Sequence, residues 1–395
     1  MHKKHIFMWI GILGLTCLAL TTMWSLPFQG EDGMHYLPNK VGKWRPWTID
    51  TESRVDYKLT QREVDTFLAK LERLATIFRG LKALTPPLGV DARNHLSILS
   101  PPSSEVQRPR SYVPVVGRVT VDLLPYYMDE GGRIDTNPDD AAGFALYVND
   151  LSHIFRGERD TKKGVVEDWF AAGEPAEMED EQGLYFLAPK VTGNLQGFPI
   201  YDTAAVILVK SQKPLWVPVS QERFLRHAIR RAQELLEAQN EEQREMMKGV
   251  PPDEVREGEK LARESEAGTR ATLAENPGNI RFLRADYVKA LTQELASLSS
   301  EQRAAPAFYS QDWKTTRRPS GLLNPGAPQA QPVVSPNADF FNPALPRTAI
   351  QVIVVLGISG ADRAPAHPER ANPAVMRRFE VRNSLDWRSV AALVE

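Results

Sequence analysis

Cysteine is all but missing from this 395-residue sequence: the single copy, Cys17, lies inside an N-terminal apolar run. That excludes an intramolecular disulfide, a thiolate zinc site, a cysteine nucleophile, an iron–sulfur cluster and covalently attached haem. An excess of either charge is missing too. Lys plus Arg number 48 against 50 Asp plus Glu, for a net charge of −2. The expectation is no nucleic-acid partner, because such binding works through a broad basic face. Beyond the N-terminal run there is no second long hydrophobic stretch, which excludes a multi-span membrane protein. Glycine-rich phosphate loops and dinucleotide fingerprints are absent, and Gly131-Gly132 has neither the spacing nor the lysine. No two histidines sit four residues apart on a helix, and no His-Glu-x-x-His occurs. The sequence therefore assigns no cofactor and no metal, and leaves any catalytic residues unknown.

What is present is ordinary globular material, 42% hydrophobic and 25% charged, long enough for two or three domains. Residues 1–24 open with His2-Lys3-Lys4-His5 and continue as an apolar run from Ile6 to Leu20. This is the pattern of a signal peptide or, since the run is long enough to span a bilayer, of an N-terminal membrane anchor. Ala19 and Thr21 make a poor cleavage site, and Gly14-Leu15-Thr16 before Cys17 makes a poor lipidation site. Each reading places the body outside the cytoplasm, periplasmic, secreted or anchored. Membrane contact is then expected only through the N-terminal segment, if it stays uncleaved.

The body reads as α+β, a mainly antiparallel sheet with an N-terminal amphipathic helix and an inserted, charged helical arm. A strand-rich domain covers 25–219 and contains a helix over 60–84. Thr60 and Glu63 have capping-box spacing, and Val64, Phe67, Leu71, Leu74 and Phe78 form one apolar stripe. Strands are expected at Tyr112–Leu124, Phe144–Val148 and Leu184–Leu187. Val206–Val209 reads as a buried central strand, forming a hairpin with Pro214–Val219, whose prolines place it at an edge. Residues 220–300 form the arm, starting at the N-cap Ser220 and reversing at Pro251-Pro252 and Asn276-Pro277-Gly278. Its apolar stripe, with Leu225, Ile229, Ala232 and Leu236, needs a partner surface, either the same chain or a second copy. Residues 301–348 are a proline-rich connection. Residues 349–395 return a strand, Ile350–Ile358, to the main sheet and end in a short helix near Trp387.

Local patterns of chemically active side chains are each incomplete. Asp135, Asn137 and Asp139 alternate like the start of a calcium loop, but Asp140 replaces the required glycine and Leu146 the bidentate glutamate. Asp202-Thr203-Ala204 is half of an aspartic-protease corner without its second copy. Ser359, with Asp362 and His367 behind it, follows a strand, but no helix can start after it. His227 is surrounded by Arg226, Arg230 and Arg231, and reads as a solvated helix face. The acidic run Glu174–Glu181 reads as a solvated loop, and the tryptophans, Trp44 and Trp47 included, as packing groups.

The functional expectation is an exported, bacterial-type protein, non-catalytic, that binds or builds, with a protein partner through the arm 220–300. The alternative is a cofactor-independent extracytoplasmic hydrolase acting on a glycan or peptide, with carboxylates drawn from separate loops.

Overall fold

The computed structural model describes residues 35–101, 112–156, 178–180, 183–310, 318–358 and 371–395, so the leader lies outside the described residues. In chain order the elements are β1 (His35–Tyr36), β2 (Thr48–Asp50), α1 (Gln61–Arg79), β3 (Val90–Ile98), β4 (Gly117–Met128), β5 (Ile134–Thr136), β6 (Ala142–Val148) and the one-turn α2 (His153–Arg156). Then come β7 (Met178–Asp180), β8 (Gly183–Leu187), β9 (Val191–Leu195), β10 (Phe198–Tyr201), β11 (Val206–Val209) and β12 (Trp216–Pro218). The arm holds α3 (Gln221–Met247), α4 (Pro252–Ala271) and α5 (Arg284–Ser297), with α6 (Ser300–Ala304) behind it. The chain closes with β13 (Phe308–Tyr309), β14 (Gln331–Pro336), β15 (Val352–Leu356), α7 (Pro373–Ser384) and α8 (Trp387–Ala391).

The fold is α+β. A large, mostly antiparallel sheet runs in the order β2-β3-β4-β6-β15-β11-β10-β9, with β1 and β5 paired to β4. Only β2 and β3 pair in parallel in it. A smaller sheet runs β12-β14-β8-β7, with β13 beside β14. Three apolar layers separate four layers of structure. The first lies between the large sheet and α1, α7 and α8, where Phe67, Leu71, Phe78 and Trp387 are fully buried. The second lies between the two sheets, and the third between the small sheet and the root of the arm.

Alternation across the strands makes this stacking possible. Ile353 and Val355 of β15 enter the first layer, while Val352, Val354 and Leu356 enter the second. In β11, Val206 and Leu208 face one way and Ile207 the other. These are the two unbroken apolar runs of the sequence, and both faces of each are covered by protein. The small sheet repeats the device, with Tyr185 and Val333 facing the arm and Phe186 and Val334 facing the large sheet.

Several expectations change in detail. The first helix stops at Arg79, with Gly80 as C-cap, rather than running to 84. The strand expected over Tyr112–Leu124 starts later, at Gly117, and continues to Met128. The hairpin of β11 with residues 214–219 does not form, because β11 pairs with β15 and β10 while β12 crosses to an edge of the small sheet. The proline-rich connection contains a strand, β14, with neighbours on both sides. Its prolines sit at Pro332 and Pro336, and between them Val333 keeps an amide that donates to Ala307 and a carbonyl that accepts from Val219. The helix α7 was not expected. Its start follows from Asn372 accepting from the Ala374 amide and from Pro373 at the first position.

The capping box of α1 is complete, since Thr60 accepts from the Glu63 amide and the Glu63 carboxylate accepts from the Thr60 amide. Arg347 then forks onto Glu63 at 2.9 and 3.2 Å and donates to the Tyr57 and Lys58 carbonyls. The Arg347 hydrogen bond, followed by those from Thr60, pulls the Glu63 carboxyl from 4.5 down to about 2. Folding thus favours the charged form, and this contribution is complete above pH 4.5 and is lost as the pH falls towards 2. Thermal melts across that range should fall more steeply for the native protein than for Glu63→Gln. Equal slopes would show that the pair adds nothing.

The buried Asn149 occupies the left-handed region, with φ of 60°. Its amide nitrogen donates to the Val115 and Ala349 carbonyls, and its oxygen accepts from the Gln351 and Val352 amides. Asn149→Ala would leave these groups buried without partners and should cost about 2–4 kcal/mol in denaturant unfolding. A loss under about 0.5 kcal/mol, the size of an ordinary surface change, would contradict this role.

Candidate functional site

Three places gather polar or exposed groups. The first is the corner where the leading segment crosses β3 and β4. Asp91 is 2% exposed. It accepts from the Lys43 amide, from Arg45 Nε at 3.0 Å and from the Tyr126 hydroxyl at 2.5 Å. Arg45 also donates to Thr136 on β5. Burial pushes the Asp91 carboxyl up, but the hydrogen bonds from Tyr126, Lys43 and Arg45 outweigh it, and the group lies below its ordinary value. The Tyr126 hydroxyl, desolvated and bound to that carboxylate, is pushed up to about 12. A carboxylate held ionised by three donors and a phenol held protonated do not exchange a proton near neutrality. This cluster fastens residues 35–47 to the sheet.

Beside it, the suspected calcium loop spends its oxygens internally. The Asp135 carboxylate accepts from the Thr136 amide, Asn137 Oδ1 accepts from the Asp139 amide, and the Asn137 amide donates to Asp140. Asp140 also accepts from the Tyr36 hydroxyl, which burial and that carboxylate push well up. Among the described residues no group of three or more His, Cys, Asp or Glu could hold a metal ion.

The second place is the turn after β6. Asp150 accepts from the Ser152 hydroxyl at 2.6 Å and amide at 2.9 Å, and its other oxygen lies 3.3 Å from His153 Nε2. The His153 ring stacks on Tyr147 at 3.4 Å. Serine, aspartate and histidine are thus together, but the aspartate sits between the other two. A nucleophilic serine needs the imidazole as its own base, so the arrangement is an Asp-initiated turn entering α2.

The other expected positions are spread out. Asp202 accepts from the Lys190 amide and closes the turn before β11. His95 Nδ1 is 2.6 Å from the Thr48 hydroxyl, and His35 pairs in β1 with Met128. His227 is not a solvated face, because its ring meets the Tyr185 hydroxyl, a buried side chain of β8. Trp44 donates to the Leu84 carbonyl, Trp216 packs on Phe155 and Tyr201, and Trp387 lies against Phe78 and Phe144. Ser359, Asp362, His367, residues 174–177 and Glu181 lie outside the described residues, while Met178–Asp180, expected in a solvated loop, form β7 paired with β8. Gly357 is within them, with φ of 91°, and a Cβ there would come 2.1 Å from the Gly143 carbonyl. A close strand approach therefore accounts for that glycine.

The third place is the arm. Its root is built into the third apolar layer through Phe224, Leu225, Ala228 and Ala232 of α3 and Tyr287 and Leu291 of α5. Of the stripe expected to need a partner, Leu225, Ile229 and Ala232 pack into this layer of the same chain, and Leu236 lies outside it. Two residues of the stripe, Leu225 and Ala232, are 0% and 3% exposed. A partly buried network ties down the root, where Glu294 accepts from Arg318 at 2.7 Å and from the Ser320 hydroxyl and amide. Beyond Ala232, α3 buries nothing, and α4 buries no residue along its whole length. Met246, Met247 and Leu261 are 63%, 41% and 43% exposed.

Sequence reasoning missed Asp91, Asn149 and Glu294. The one local signal was the Asn149-Asp150 pair, a turn dipeptide at the end of a strand. Among the described residues no helix is long and apolar enough to cross a membrane. No known protein family, no curated protein and no solved structure matches the chain.

Tyr126→Phe removes one of the three donors on Asp91. It should lower stability by about 1–2 kcal/mol and move acid unfolding to higher pH, read by circular dichroism along a pH titration. An unchanged acid midpoint would show that the hydroxyl does not hold the carboxylate ionised.

Proposed function

We propose that this chain is an exported, non-catalytic binding or structural protein that presents its helical arm to a protein partner. One observation carries the reading: the outer half of α3 and all of α4 bury nothing. Most helix stability in proteins comes from packing a face, and this pair of helices has no buried residue beyond 232. The root, by contrast, is held by apolar packing and by the Glu294–Arg318 pair, so it sets the direction of the projecting part. A rigid root under an uncommitted tip supports a role in contact rather than in packing the body.

The test has two arms. Replacing residues 237–275 by a short Gly-Ser connection should leave the melting temperature of the body unchanged. A photo-crosslinking side chain at Leu261 of the full chain, expressed in cells, should give a discrete adduct with another protein. The same group at Val191, exposed on β9, should not. A lowered melting temperature would show that the tip belongs to the core. Absence of an adduct from Leu261, or the same adducts from both positions, would overturn the binding role.

A further inference from the structure

The leading segment carries a second exposed feature, at the opposite end of the sequence from the Glu395 terminus. Val41 bridges Leu88 through the backbone, yet 64% of its surface is exposed. The backbone around it is well held: Gly42 donates to the Pro87 carbonyl at 2.8 Å and Gly89 to the Lys40 carbonyl at 2.7 Å. Four cations lie on the two segments that meet here, 40–44 and 79–88. Lys40 lies over the Tyr126 ring at 5.0 Å, and Arg79 lies 5.8 Å from the centre of the Trp44 ring. Lys43 precedes Trp44, and Lys82 lies two residues before Leu84, the acceptor of the Trp44 indole. Among the described residues none of the four forms an ion pair. Two carboxylates reach the same corner, Asp91 and Glu380, and each is bound by an arginine of its own, Arg45 and Arg377. The corner therefore joins an exposed aliphatic tip to an uncompensated positive charge.

We propose that this corner rests on the anionic headgroups of the membrane that holds the N-terminal leader, with Val41 entering the interfacial layer. The proposal rests on the reading of residues 1–24 as a retained anchor. The apolar run ends at Leu20, twenty residues before Lys40, a span of at most about 70 Å. Cations near an anionic surface attract weakly one at a time, within roughly 8 Å at physiological salt, so they act when a second signal keeps them close. The leader supplies that second signal, and the four cations and Val41 set which side of the body turns to the bilayer. The sign of the charge and the aliphatic tip match a lipid surface together.

The test uses the full chain in a Cys17→Ser background, reconstituted into phosphatidylcholine vesicles with or without phosphatidylglycerol. A polarity-sensitive fluorophore is placed singly through Gly14→Cys in the leader, Val41→Cys at the corner, or Val191→Cys on β9, which is 62% exposed. The expected result is protection from aqueous iodide at position 14 in both vesicles. Position 41 should show a blue shift and several-fold weaker quenching only with phosphatidylglycerol, and position 191 no change. Adding Lys43→Glu and Lys82→Glu should abolish the effect at 41. Protection at 14 with none at 41 would overturn the docking corner while leaving the anchor standing. Full quenching at 14 would overturn the anchor reading, and the proposal with it. Equal protection at 41 and 191 would show contact without a preferred face.

Discussion

The large sheet depends on one side chain more than on any other. Without β15 its strands fall into two groups, β2-β3-β4-β6 and β11-β10-β9, because β15 alone bridges β6 to β11. The chain reaches β15 only after crossing the small sheet and the whole arm, so its arrival cannot be set by local turns. Asn149, at the end of β6, sets it. The residue makes a left-handed turn that asparagine tolerates better than most side chains. Its side chain then satisfies two carbonyls and two amides on segments distant in sequence, and its own amide donates to Val352. A buried amide is costly unless fully paired. One register of β15 pairs it, and a slip of one residue would also turn Ile353 and Val355 from the first apolar layer into the second.

That closure explains how a charged arm can interrupt the body without disturbing it. Both ends of the insertion are fixed in the small sheet. Val219 donates to Val333 before the arm, and Val333 donates to Ala307 after it. The Arg318 guanidinium binds Glu294 on α5 and reaches Gln221 at the start of α3, so the two helices of the root cannot slide apart. Past Ala232 neither α3 nor α4 has a buried residue to share in this fixing. The binding role proposed for the arm needs this division between a root that transmits position and a tip that does not contribute to the core.

The parts of this architecture visible in the sequence are those written in short-range chemistry. Thr60 and Glu63 announce α1, Ser220 announces α3, and two proline breaks mark the ends of the arm helices. The continuous apolar runs of β11 and β15 announce central strands, since no exposed face could hold them. What was illegible is pairing. Nothing in Pro214–Val219 says that it joins a different sheet from Val206–Val209, because the strands that part them, β14 and β15, come from later in the chain. The strand β14 hid for the same reason, since proline density suggests irregular chain, while the free amides between the prolines are what the neighbouring strands use. Asp91 and Glu294 look like any surface carboxylate in sequence. Only the fold brings Tyr126, Arg45 and Arg318 to them.

The tip of the arm can be weighed term by term. Within α4, Glu259 pairs with Arg263 and Glu266 with Arg270 in the favourable order, Lys260 with Glu264 in the reverse order, and Arg256 with Asp253 one turn apart. Each such pair contributes about 0.2–0.5 kcal/mol to a helix. Gly258 and Gly268 interrupt the same helix, and each costs about 1 kcal/mol relative to alanine. The two sums are of similar size and opposite sign, which leaves α4 with little stability of its own and no buried face to add any. Pro252 at its start and the Arg270–Asp286 contact at its end hold the helix in place without deepening its well. A surface that covers one side of α4 therefore meets a helix already in position but only weakly committed. Contact there strengthens the helix and the association together, which is the thermodynamic setting in which a projecting arm is most responsive to a partner.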